Sequence, residues 1–259
     1  MRRAARRVVL VLAVCCAGMA AWSVAAGGQG TPPPGPDRTG PTADPALLAR
    51  GRELFSTGCA TCHGSDLRGR PGLGPSLRGA GAAAADFYLS TGRMPLANPT
   101  DQPQRTEPAY SRRDIDALVA YVGSFGGPGI PRIDPARGSL PAGLVAFTEH
   151  CAGCHQVVAR GGVVTGAAVP SLIHSSDTQV AEAVRIGPYL MPVFSERQIP
   201  PRTLNDIVRY AASTKHPDNR GGWGIGNLGP VPEGLIAWVL ATVVLLGVAR
   251  VIGVPEARP

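Results

Sequence analysis

The sequence predicts an all-α protein: two small helical units in tandem, a C-terminal helix long enough to cross a membrane, and an apolar signal or anchor helix at the N-terminus. Three observations carry that reading. A five-residue signature occurs twice, as Cys59-Ala60-Thr61-Cys62-His63 and as Cys151-Ala152-Gly153-Cys154-His155. Each copy is entered by a helical stretch and followed, some fifty residues on, by a run with apolar residues at i, i+3, i+4 and i+7. Both ends of the chain carry long apolar runs flanked by arginine.

At the N-terminus Arg2, Arg3, Arg6 and Arg7 precede an apolar run from Val8 to about Ala26, so residues 1–26 read as a signal peptide or an N-terminal anchor. Ser23-Val24-Ala25 offers a small-residue cleavage site, and cleavage stays open. Cys15 and Cys16 lie inside the run and read as apolar residues, because Val14 does not suit a lipid-attachment site. Residues 27–45, with Thr31-Pro-Pro-Pro-Gly-Pro36, form a Pro/Gly-rich tether that cannot build a core.

The first unit spans 46–126. A helix from about Pro45 to Thr57, with Leu47, Leu48 and Leu54 available for one face, leads into Cys59. Ser111-Arg-Arg-Asp114 resembles a capping box ahead of Ile115, Leu118, Val119 and Val122, the apolar stripe of a closing helix. Residues 127–141 are a Gly/Pro-rich linker. The second unit, 142–216, repeats the plan: Gly143 to His150 leads into Cys151, and Leu204, Ile207, Val208 and Ala211 mark its closing helix. After a linker over 217–232, residues 233–254 form an apolar stretch of roughly 33 Å as a helix, enough to cross a bilayer. Arg250 can snorkel at one end and Trp238 lies toward the other, and residues 255–259 are a short tail.

The paired signature sets the chemistry. Cys-x-x-Cys-His is the pattern of covalent c-type haem attachment: two thiols add to the two vinyl groups, and the adjacent imidazole reaches the iron. Zinc ligation and a redox-active dithiol are the competing readings. A structural zinc site needs no histidine directly after each second cysteine, and a dithiol oxidoreductase wants a βαβ pattern that is missing here. The expected cofactors are therefore two covalently bound haems c, with Cys59, Cys62 and His63 at one and Cys151, Cys154 and His155 at the other.

The sixth iron ligand is expected from methionine. Apart from Met1 and Met19 in the leader, only Met94 and Met191 remain, 31 and 36 residues after the motif histidines, and each precedes a proline. The bland reading is two core methionines. As ligands, Met94 and Met191 would raise the reduction potential and close the iron to outside ligands, so both haems read as electron relays. His150, His174 and His216 read as solvated.

Net charge is +7, but residues 30–218 hold 18 Lys+Arg against 16 Asp+Glu, so the excess sits at the chain ends. That distribution describes membrane topology, not nucleic-acid binding. With both arginine-bearing ends inside, the haem units lie on the extracytoplasmic face of the cell membrane and the C-terminus is cytoplasmic. Haem is attached after translocation, so export is expected by the general route and not by a twin-arginine signal. Gly224-Ile-Gly226-Asn-Leu-Gly229 satisfies G-x-G-x-x-G but follows a linker and runs into prolines, so it fails the dinucleotide-binding context.

Small all-α units with a first and a last helix packed beside haem resemble class I cytochrome c. The order of parts resembles one family more closely. Gly74-Pro-Ser-Leu77, Ser90-Thr-Gly-Arg-Met-Pro95, Met191-Pro-Val-Phe-Ser195 and Gly229-Pro-Val-Pro-Glu-Gly-Leu235 are similar to segments of the dihaem cytochrome c subunit of the actinobacterial cytochrome bc complex. The likeness runs from Leu47 to Gly247. It implies a subunit of a menaquinol–cytochrome c reductase, with a cytochrome b subunit, a Rieske iron-sulfur subunit and a terminal cytochrome c oxidase as partners. Electrons would pass from the Rieske subunit through two His/Met haems to the oxidase, and no quinol-oxidising site or catalytic residue is expected in this chain. The alternatives are the dihaem cytochrome subunit of another membrane dehydrogenase and a dihaem peroxidase; the second would need an iron able to open a coordination site.

Overall fold

The computed structural model describes residues 44–164, 166–217 and 230–253. The expected N-terminal signal or anchor helix, most of the two Pro/Gly-rich segments at 27–45 and 217–232, and the tail lie outside the described residues. The first half runs α1 (Pro45–Gly58), α2 (Ala60–His63), α3 (Gly81–Ser90) and α4 (Arg112–Gly123). The second runs α5 (Leu140–His150), α6 (Ala152–His155), a hairpin of β1 (Gly162–Val164) and β2 (Ala167–Val169), α7 (Asp177–Ile186) and α8 (Pro201–Ser213). Both halves belong to one compact unit.

Helix α1 starts where Asp44 accepts a hydrogen bond from the Ala46 amide and Pro45 supplies a preset φ at the first helical position. It crosses α4 at Gly51, where an added Cβ would sit 2.1 Å from the Ala117 carbonyl oxygen. One turn later Phe55, fully buried, tilts against Tyr121 with ring centroids 5.4 Å apart. The second half repeats this contact. A Cβ on Gly143 of α5 would lie 2.1 Å from the Asp206 carbonyl oxygen of α8, and Phe147 packs on Tyr210 at 5.2 Å. Glycine at both crossings lets two helix backbones touch, and an aromatic four residues on fills the volume beside them.

The closing helices bury the stripes read from the sequence: Ile115, Leu118, Val119 and Val122 in α4, and Leu204, Ile207, Val208 and Ala211 in α8. The face of α1 differs from expectation. Only Leu54 of the three leucines packs against the core, because the crossing at Gly51 turns Phe55 inward instead. Ser111 caps α4 by accepting from the Asp114 amide at 3.2 Å. The reciprocal capping box is found at α7, where the Ser176 hydroxyl takes the Gln179 amide and the Gln179 side chain takes the Ser176 amide.

In each half one helix that the sequence pattern did not mark, α3 or α7, lies between the haem motif and the closing helix. The alanine-rich stretch Gly81 to Ala85 begins α3, which packs on α4. Asp86 of α3 is buried and is held by the Arg112 guanidinium of α4, Nη1 to Oδ1 at 2.6 Å. The all-α expectation is also corrected in the second half. Gly162-Val-Val164 and Ala167-Ala-Val169 pair antiparallel, a strand choice that β-branched valines favour.

Helix α9 (Pro230–Gly253) belongs to a separate unit and is described by itself. Over Gly234–Gly253 its mean hydropathy is 2.5, and its length of about 30 Å suits a bilayer core. Leu235, Trp238, Val243 and Leu245 stand exposed, as lipid-facing side chains do, and Thr242 returns its hydroxyl to the Trp238 carbonyl at 2.9 Å.

Two stability predictions follow from these contacts. Gly51→Ala and Gly143→Ala each force a methyl into a neighbouring helix backbone, and each should cost about 1–3 kcal/mol in denaturant unfolding of the haem-loaded protein. Arg112→Leu strands the buried Asp86 carboxylate and should cost about 3 kcal/mol in the same assay.

Candidate functional site

Each Cys-x-x-Cys-His sits at the end of the helix that makes the glycine crossing. The Cys59 amide donates to the Phe55 carbonyl at 2.9 Å, and the His63 amide to the Cys59 carbonyl at 3.0 Å. A short second helix thereby follows the first, with Cys59 between them outside helical geometry. Cys151 and His155 repeat both bonds, at 2.8 Å to Phe147 and 2.9 Å to Cys151.

The loop after each motif turns back to meet its histidine. Leu67 and Ala159, both fully buried, take positive φ of 62° and 55°. Gly69 and Gly161 then follow at φ of 81° and 74°, where a Cβ would collide with the returning backbone. These turns bring the Pro75 carbonyl to 2.8 Å from His63 Nδ1, and the Pro170 carbonyl to 3.2 Å from His155 Nδ1. A carbonyl only accepts, so Nδ1 carries the proton in both rings and the Nε2 lone pair is left free. That arrangement fixes the tautomer and ring plane of a metal-ligating histidine. Burial lowers the basicity of His155, and its bond to the Pro170 carbonyl opposes that shift.

In the first half the predicted site residues converge. Cys59, Cys62, His63 and Met94 line one cavity of about 470 Å³, whose walls include Phe55, Leu77, Leu89 and Leu118. Met94 is presented by a pinned loop. Its amide donates to the Tyr88 carbonyl at 3.1 Å, the Thr106 hydroxyl donates to the Gly92 carbonyl, and the Thr106 amide donates to the Thr91 carbonyl. Gly92, at φ of 65°, lies so close to Thr106 that a Cβ would come within 2.3 Å of its carbonyl oxygen.

The second half uses the same device in different chemistry. Gly187 ends α7 in the left-handed region at φ of 58°, Met191 packs against the buried cluster that contains Cys151, and Arg185 ties the following loop down. Arg185 donates to the Phe194 carbonyl at 3.0 Å and to the Ile199 carbonyl at 2.7 Å.

The residues fit covalent haem. The two thiol pairs belong to separate cores, so they do not combine into a single four-thiolate zinc site. Burial, reinforced by the neighbouring thiol, pushes Cys59 and Cys151 up to about 11, the reverse of the depressed thiol that a redox dithiol needs. Arg93, beside Met94, stacks over Phe87 at 5.0 Å with its Nη1 buried and lacking a hydrogen-bond partner among the described residues. A buried guanidinium N–H of that kind suits an anionic group, and haem brings two carboxylates.

Comparison with known proteins agrees with this chemistry. The family described as cytochrome c matches residues 48–125, and that described as cytochrome c oxidase, cbb3-type, subunit III matches residues 138–210. The cytochrome bc1 complex cytochrome c subunit of Mycobacterium leprae is 37% identical over 218 residues, covering 80% of this chain and 75% of the relative. That of Mycobacterium tuberculosis (strain ATCC 25618 / H37Rv) is 38% identical over 218 residues, covering 80% and 78%. That of Corynebacterium diphtheriae is 36% identical over 229 residues, covering 80% and 81%. A cbb3-type cytochrome c oxidase subunit CcoP from an Azospirillum species is 28% identical over 132 residues, but covers only 46% of this chain and 43% of its own. Two cytochrome c domains in such a chain carry two covalently bound haems c. Likeness across four fifths of its length makes this chain a member of the cytochrome c subunits of the cytochrome bc1 complex.

Proposed function

We propose that this dihaem cytochrome relays electrons from the Rieske subunit of its complex, reduced by menaquinol, to a terminal cytochrome c oxidase. In this reading Cys59 and Cys62 would hold the first haem, with His63 and Met94 as iron ligands, and Cys151 and Cys154 would hold the second with His155 and Met191. The observation that carries it is the convergence of Cys59, Cys62, His63 and Met94 on one apolar cavity. When bound, each haem supplies a one-electron ferric/ferrous couple.

The chain's own residues determine how that couple behaves. Pro75 and Pro170 orient the imidazoles through Nδ1, and the pinned loops at Gly92 and Gly187 hold a thioether in place, which as an iron ligand would favour the reduced state and leave no open coordination position. A peroxidase would need such a position. The apolar walls at Phe55, Leu89 and Leu118 exclude water. Quinol oxidation belongs to other subunits, with a cytochrome b as the further partner. The haem domains, over 46–126 and 142–216 and joined by 127–141, lie on the extracytoplasmic face, with α9 in the membrane and the C-terminus cytoplasmic.

Isolation of the membrane complex in mild detergent tests this directly. Pyridine haemochrome analysis should return two c haems per chain, with a cytochrome b and a Rieske protein co-purifying; a dehydrogenase subunit in their place would sink the relay from quinol. Met94→Ala and Met191→Ala should each abolish the methionine–iron absorption band of one haem. Each should also lower that haem's potential by roughly 0.1 V or more, within the ~0.8 V range that axial ligands span. An unchanged spectrum and potential in either variant would remove that methionine from the ligand set.

A further inference from the structure

The two halves meet where α3 packs on α7, and the centre of the seam is a single side chain, Gln179. Its Oε1 accepts from Arg105 Nη2 at 2.6 Å and from the Ser176 amide at 3.1 Å. Its Nε2 donates to Ser90 Oγ at 3.0 Å and reaches the Ser90 carbonyl at 3.4 Å. Arg105 also reaches Ser175 Oγ at 3.4 Å. One primary amide thus uses both its acceptor and donor capacity, and two of its partners, Arg105 and Ser90, come from the other half.

Ser90 sits where the first methionine loop begins, and Gln179 sits at the start of the helix that leads to the second. Ser90 is the last residue of α3, four before Met94, and Gln179 lies in the first turn of α7, whose end at Ile186 is five residues before Met191. A second contact joins the loops themselves. Tyr88 lines the first cavity, its carbonyl accepts the Met94 amide at 3.1 Å, and its hydroxyl faces the backbone amide of Tyr189, two residues before Met191. Tyr88 therefore touches the first methionine loop through its carbonyl and faces the second through its hydroxyl.

We infer that Gln179, clasping Arg105 and Ser90, is a positioning residue that holds the two methionine loops at a fixed separation for electron passage between the haems, with Tyr88 as the bridging side chain. The inference rests on the relay reading above. In the step it serves, one electron leaves one iron, which goes from ferrous to ferric, and the other goes from ferric to ferrous; no bond breaks and no proton moves. Gln179 touches neither haem ligand and acts only through the seam. Its partners are polar, so the seam is held by direction-specific bonds, which set spacing more sharply than apolar contact does.

The test uses the full-length, doubly haem-loaded protein in detergent. One haem is reduced by a laser flash through an attached photoreductant, and the equilibration between haems is followed optically. Gln179→Leu should slow it by about tenfold, the population change that about 1.4 kcal/mol of lost hydrogen bonding produces. Haem content, both methionine–iron bands and both potentials should be unchanged. The double variant Ser90→Ala/Arg105→Leu leaves the α7 capping box intact and should show the same slowing, while Gln179→Glu, which still accepts from Arg105, should recover most of the rate. Slowing in Gln179→Leu alone would mean that Gln179 serves only its own helix cap, and wild-type rates in both variants would likewise overturn the inference. A wild-type protein with no exchange between its haems would instead overturn the relay on which it depends.

Discussion

Backbone contact between the first and last helix of each half is the constraint on which the remaining structure depends. Gly51 against Ala117 and Gly143 against Asp206 leave no room for a side chain, so the axial position of each helix along its partner is fixed within a fraction of a turn. The end of the opening helix is the motif itself. Fixing α1 on α4 therefore fixes Cys59 relative to Leu118 and Val122, which wall the same cavity. The same reasoning applies to α5 on α8, where the Asp206 carboxylate also accepts the Ser139 amide at 2.6 Å and so anchors the start of α5 as well as its middle.

From that frame, two returning loops supply what the helices cannot. A histidine on a single helical turn is free to rotate, and the Pro75 and Pro170 carbonyls stop it. The residues that make this possible, Leu67, Ala159, Gly69 and Gly161, carry positive φ and are chosen for backbone shape; the two non-glycines hold that shape because they are fully buried. The halves are thus built on one backbone plan with different side-chain solutions. The first pins its methionine loop with Thr106, the second with Arg185, and only the second inserts a β-hairpin between motif and proline.

Much of this was legible in the sequence because it rests on local periodicity and on a motif with a fixed chemical purpose. The closing helices, the approach helices and the membrane-spanning length of α9 needed no knowledge of distant contacts. Residues chosen for backbone proximity were not legible in that way. Gly51 looks like a weak point in a helix until α4 is placed against it, and Leu47 and Leu48 look more suited to the core than a glycine does. Helix α3 escaped notice because its four alanines carry little amphipathic signal, and Ala83 and Ala85 matter through the close packing their small size permits. Helix α7 begins at a true capping box, Ser176 to Gln179, but the spacing sits in a polar Ser/Asp stretch beside His174, which read only as solvated.

The least legible feature is the seam, since its bonds join residues 70 to 90 positions apart. Its electrostatics are unusual: Arg93 and Arg105 both lie partly buried there, and burial lowers the basicity of each, with Arg105 adding to the effect on Arg93. Two guanidiniums brought together cost free energy unless other groups compensate. Phe87 takes one by its face, and Gln179 accepts from the other. A surface that evolved only to bury apolar area would not place charge there. Polar groups with defined directions make the halves associate in one register, and a relay whose two stations must stay in register has a physical reason to prefer that arrangement over a more adhesive, less specific one.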